Sequence, residues 1–138
     1  MIEDRGHDDN SFEVIRWRAL LRTPLRKVEG FLRRFSELLG AEVQMEACEP
    51  YWKDGALVDV HFNSPLHLMD VRDATFEALL LCQRLLPDWR IKGPWQYEGD
   101  RWELYGMARD DSRGMVMMEF WVRNFLTEWP GSGEERAI

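Results

Sequence analysis

The residues able to do chemistry are few and lie far apart. Cys48 offers a nucleophile, and His61 or His67 would be its base. No spacing joins them, and Cys48 sits where acids alternate with small apolar residues, the setting of an inert thiol. Asp59 and His61 lie two apart, so on a strand they share a face; His67 and Asp70 follow shortly after. Such a set suits a hard or borderline cation, but its spacing forms no metal motif, and an exposed polar strand face accounts for it. Carboxylates pair at Glu42 with Glu46, Asp70 with Asp73, and Asp110 with Asp111. Acid–base work requires surroundings that drive two pKa values apart, and solvated surface positions do not supply them. The glycines form neither phosphate-binding fingerprint. The sequence thus points to no catalytic residue, no metal and no cofactor.

Aromatic residues and charge say more. Of seven tryptophans, Trp17, Trp89, Trp95, Trp102 and Trp121 fall in strand-like stretches and are expected to fill the sheet face beneath the helices. Trp52 differs. It follows Tyr51 in the loop Glu49-Pro50-Tyr51-Trp52-Lys53-Asp54-Gly55, and an adjacent Tyr–Trp pair flanked by acids is the composition of an interface anchor. Trp129, near the end, is a weaker candidate.

The net charge is −7, with 18 Lys and Arg against 25 Asp and Glu. That excludes nucleic acid, whose phosphates require a surplus of cations. Arg22, Arg26, Lys27, Arg33 and Arg34 cluster around the first helix, where a solvated face explains them. Residues 1–40 carry 8 bases and 7 acids, whereas residues 41–138 carry 10 and 18, a net −8. Gathered on one side, Glu46, Glu49, Asp54, Asp59, Asp70 and Asp73 would form an acidic face for a basic protein partner.

The elements that position these residues follow from periodicity. Ile15, Trp17, Ala19 and Leu21 alternate with Arg16 and Arg18, which predicts a strand with one buried face. Thr23-Pro24 opens a helix, with Thr23 as the cap, whose stripe is Leu25, Val28, Leu32, Phe35 and Leu39 and whose C-cap is Gly40. Ala41 to Ala47 alternates as a second strand, Lys53-Asp54-Gly55 turns, and Leu57 to Phe62 returns as a third. A second helix starts at Pro65 or Asp70 and ends before Pro87; Phe76, Leu79, Leu80 and Leu86 widen its apolar stripe, predicting heavy burial. Three strands finish the chain: Trp89 to Tyr97 with a bulge or break at Gly93-Pro94, Trp102 to Ala108, and Met115 to Phe125.

This order, β-α-β-β-α-β-β-β, predicts an α+β fold of two helices on one antiparallel sheet, a ferredoxin-like core with extra C-terminal strands. One domain spans residues 12–129, with flexible tails at 1–11 and 130–138. The polar start lacks the apolar segment of a signal peptide and the longest apolar run, Ala78 to Cys82, is too short to span a bilayer. With two isolated cysteines read as reduced, these features place the chain in the cytoplasm, with no membrane partner.

Three functions fit. The first is a non-enzymatic protein-binding module, an acidic inhibitor or immunity-type protein, with Tyr51 and Trp52 as anchors and the six acids as steering groups. The second is a small-ligand binder or enzyme with a Trp-lined pocket between sheet and helices, drawing on Asp59, His61, Tyr97 and Glu119. The third is a homodimer through the sheet edge or the Trp-rich face.

Overall fold

The computed structural model describes residues 13–67, 70–109 and 114–125. Both expected tails, Trp129 and the Asp110-Asp111 turn lie outside the described residues. Along the chain run β1 (Val14–Leu21), α1 (Val28–Leu39), β2 (Gln44–Tyr51), β3 (Asp54–Pro65), α2 (Val71–Leu85), β4 (Arg90–Tyr97), β5 (Arg101–Arg109) and β6 (Met115–Arg123). The expected α+β class holds: the two helices pack on one six-stranded antiparallel sheet, ordered β2-β3-β1-β6-β5-β4.

The sheet order departs from the expected core. A ferredoxin-like plan sets the strand after the second helix beside β1, with any further strands outside it. Here β6 lies beside β1, and β4 is the far edge. The physical reason is burial. Met118, Phe120 and Val122 give β6 a continuous apolar face fit for the centre, whereas β4 carries Arg90, Lys92 and Pro94 and is fit for an edge. The other edge, β2, carries Pro50 and two register shifts. Neither edge is a good template for strand addition.

One core lies between sheet and helices. Trp17 stacks on Phe62 at 6.3 Å, Phe35 of α1 stacks on Phe62 at 5.5 Å, and Trp89 meets Phe120 edge-on at 5.6 Å. Ala74, Ala78, Cys82 and Leu85 bring α2 into the same cluster. The buried indole of Trp17 keeps a partner, donating to Ser64 Oγ at 2.9 Å. Where α2 meets the β4 edge, a small cavity of about 240 Å³ remains, lined in part by Cys82, Gln83, Trp89 and Ile91.

Local signals explain most element ends. Gly40 caps α1 in the left-handed region, φ 73°. Asp70, rather than Pro65, opens α2: its Oδ1 accepts from the Asp73 N–H at 2.8 Å. Thr23 does not cap α1. Its expected first turn is a 3-10 turn, Leu25–Lys27, that begins at extended Pro24 without a side-chain cap. The β2–β3 turn also shifts: Tyr51 pairs with Asp54, so Trp52 and Lys53 form the turn, and Asp54 and Gly55 belong to β3.

Candidate functional site

The helix-free face of the sheet carries a charged network. Arg18, at the centre of β1, is 4% exposed. Its Nε and Nη2 donate to Asp59 Oδ1 and Oδ2 of β3 at 2.9 and 3.1 Å, and its Nη1 to Glu119 Oε1 of β6 at 3.2 Å. The Tyr105 hydroxyl of β5 donates to the second Glu119 oxygen. His61 Nε2 lies 3.3 Å from Asp59 Oδ1. Burial pushes the Asp59 carboxyl up, but hydrogen bonds from His61 and Arg18, with the Arg18 charge, outweigh it and hold the group below its usual range. Flanking pairs extend the network: Arg16 with Glu46 at 3.4 Å, and Arg123 with Glu103 at 3.2 Å.

At one end of this face the β2–β3 hairpin presents the predicted aromatic pair. Trp52 is 56% exposed, Tyr51 is half-buried, and their rings meet edge-on at 6.1 Å. Each ring holds a cation of the chain itself: Lys53 Nζ lies 5.1 Å from the Trp52 centroid and the Arg18 guanidinium 5.8 Å from that of Tyr51. A shallow groove of about 570 Å³ adjoins the hairpin, lined in part by Pro24, Leu25, Pro50, Asp54 and Leu57.

The expected acids part into three environments. Glu49 and Asp54 are exposed near the tip, although Asp54 Oδ1 also accepts from the Ala56 N–H at 3.0 Å. Glu46 and Asp59 lie on the helix-free face but are engaged internally: Glu46 Oε2 accepts from Asn63 Nδ2 at 2.6 Å, and both oxygens of Asp59 meet Arg18. Asp70 caps α2 and Asp73 lies in its first turn, beyond the opposite end of β3 from the hairpin. The structure brings Tyr51, Trp52, Glu49 and Asp54 together and leaves Asp70 and Asp73 apart.

Bulges redistribute the aromatics. Simple alternation places Trp95 and Tyr97 on the face of Ile91, beneath the helices. Between Lys92 and Trp95 the β4–β5 register gains one residue, so Trp95 pairs with Glu103 and reaches the helix-free face. There Trp95 is 42% exposed, and the Tyr97 hydroxyl donates to Glu103 Oε1 at 3.1 Å. Gly93 makes the bulge possible: its φ is 98°, and a Cβ there would stand 2.9 Å from the Trp95 nitrogen. Trp121 is buried on this same face, 5.2 Å from Tyr105, while Trp17 and Trp102 join the core and Trp89 packs against it. Asp59, His61, Tyr97 and Glu119, expected around an inner pocket, thus share the helix-free face. Past a bulge after Met45, Cys48 pairs with Val60 and packs against the core, where a reduced core thiol was expected.

Sequence reasoning missed Arg18, Tyr105 and Arg123 as members of the network. Arg18 had a signal, being a long cation midway along an otherwise buried strand. Both cysteines are free thiols, and burial pushes each upward, aided at Cys48 by the nearby Asp59 and Glu49 charges. Among the described residues no three His, Cys, Asp or Glu side chains gather in a metal-binding group, and no helix is long and apolar enough to cross a membrane.

No protein family, curated protein or solved structure matches this chain. Function is therefore argued from the site.

Proposed function

We propose that this chain is a non-enzymatic, cytoplasmic protein-binding module, an acidic inhibitor of immunity type that neutralises a basic protein through the end of its β2–β3 hairpin. The observation that carries this reading is Trp52, a large ring held 56% exposed on a two-residue turn. A turn anchored by a paired hairpin holds the ring rigidly, so little entropy is lost on docking. Glu49 and Asp54 beside it supply local negative charge, and the chain's net −7 steers a cationic partner toward it. The adjoining groove, where Leu25 is exposed, accepts an apolar side chain of the partner. On this reading Tyr51 braces Trp52, while Asp59 and Glu46 hold the sheet face in shape. In fold terms, the β2-β3-β1 half is ferredoxin-like, with β6 in the place of the fourth strand.

A photo-crosslinking side chain at position 53 tests this against one at position 83 on α2. Capture of a basic protein at 53 and not at 83 supports the reading; capture of a basic protein only at 83 contradicts it.

A second reading has its own observation. Arg18, Asp59, His61, Glu119 and Tyr105 concentrate ionisable groups on one face, as in a site for a small polar ligand. Saturable binding of a small metabolite that is lost in Tyr105→Phe, with the fold intact, would favour it.

A further inference from the structure

The α2 helix was expected to bury its apolar residues, yet Phe76 is 64% and Leu80 is 49% exposed. Its core-facing residues, Ala74, Ala78, Cys82 and Leu85, form one stripe. Asp73, Phe76, Leu80 and Arg84 recur at steps of three, four and four, which places them together on the opposite side, facing outward. An acid thus stands in the first turn, a base in the last, and two large apolar side chains between them.

This stripe is its own complement. Two copies of α2 related by a two-fold axis run antiparallel. Phe76 of each then meets Leu80 of the other, and Asp73 of each meets Arg84 of the other. The helix dipoles oppose favourably in the same arrangement. Arg84 Nη1 donates to the carbonyl of Leu39 at 2.9 Å, which holds one N–H at the end of α1, so the ion pair to a second copy draws on the other N–H groups of the guanidinium. We propose that the outward face of α2 is a self-association surface, pairing this chain with a second copy through two Phe76–Leu80 contacts and two Asp73–Arg84 ion pairs. One helix against one helix buries less than the roughly 1,200 Å² at which stable interfaces begin, so the dimer forms reversibly with concentration. The surface belongs to the helical layer and owes nothing to the hairpin reading.

Charge reversal provides the test, read by sedimentation velocity over a concentration series with thermal melts of each variant. Asp73→Arg sets like charges opposite each other in its own dimer, and so does Arg84→Asp. An equimolar mixture restores both ion pairs. The wild type is expected to shift from monomer to dimer as concentration rises. Each single variant should associate at least tenfold more weakly, and the mixture should regain wild-type association. A wild type that stays monomeric throughout, or single variants that associate as it does, would overturn the proposal. If Arg84→Asp does not fold, Leu80→Glu replaces it: loss of association supports the surface, and unchanged association overturns it.

Discussion

Arg18 and Asp59 form a two-point ion pair between neighbouring strands β1 and β3, with Nε to Oδ1 at 2.9 Å and Nη2 to Oδ2 at 3.1 Å. Both residues are buried, and Arg18 also reaches Glu119. The pair fastens the centre of the sheet on the side that the helices leave uncovered. Its worth lies in geometry more than in net stability, because desolvation opposes the Coulomb attraction.

Removing one partner is therefore the costly change. Arg18→Ala takes the guanidinium from buried Asp59 and part-buried Glu119 and is expected to lower stability by about 3–5 kcal/mol. Arg18→Met with Asp59→Leu removes charge on both sides and should recover part of that loss. Urea unfolding of the single and double variants measures the difference.

The same pair sets an acid limb. The folded Asp59 pKa lies below its unfolded value near 3.8, so the carboxylate contributes stability that is fully present above that value. It is lost as pH falls through the lower folded value. Asp59→Asn should be less stable than wild type near neutrality, and the two urea midpoints should converge as pH drops below about 4. Parallel curves down to acid pH would show that Asp59 carries no such linkage.

Packing on the other face has a sharp expectation at Gly106. A Cβ there would stand 2.2 Å from Phe120 Cε2 and 2.9 Å from Ile91 Cδ1, so the Phe120 ring and the Ile91 side chain would have to move. Gly106→Ala is expected to cost about 1–3 kcal/mol by overpacking. Thermal or urea melts read it directly, whereas Gly55→Ala, whose Cβ would meet nothing within 4 Å, serves as the contrast.

Local pattern carried most of the elements. The α1 stripe from Val28 to Leu39 with Gly40, the alternation in β1 and β5, and Asp70 as one of two possible starts of α2 are encoded within a few residues and were legible, whereas Leu25, expected in the stripe, lies before α1 and is exposed. Strand order was not, because pairing of β1 with β6 joins residues about a hundred positions apart and leaves no local trace. Side-chain direction failed where one extra residue changes parity: Trp95 and Tyr97 crossed to the other face at the Gly93-Pro94 bulge. Of the site, Tyr51 and Trp52 stood out by composition. The Arg18 network did not, since its members come from four strands and meet only in the folded sheet.

Whether the hairpin tip is the docking anchor is decided by titration calorimetry of the crosslinked partner, once identified, against the native chain and Trp52→Ala. Trp52 makes little contribution to the core, so the variant should keep its melting temperature. Its affinity should fall by about 2 kcal/mol or more, roughly thirtyfold in Kd. An unchanged Kd with the fold intact would remove Trp52 from the interface and the inhibitor reading with it.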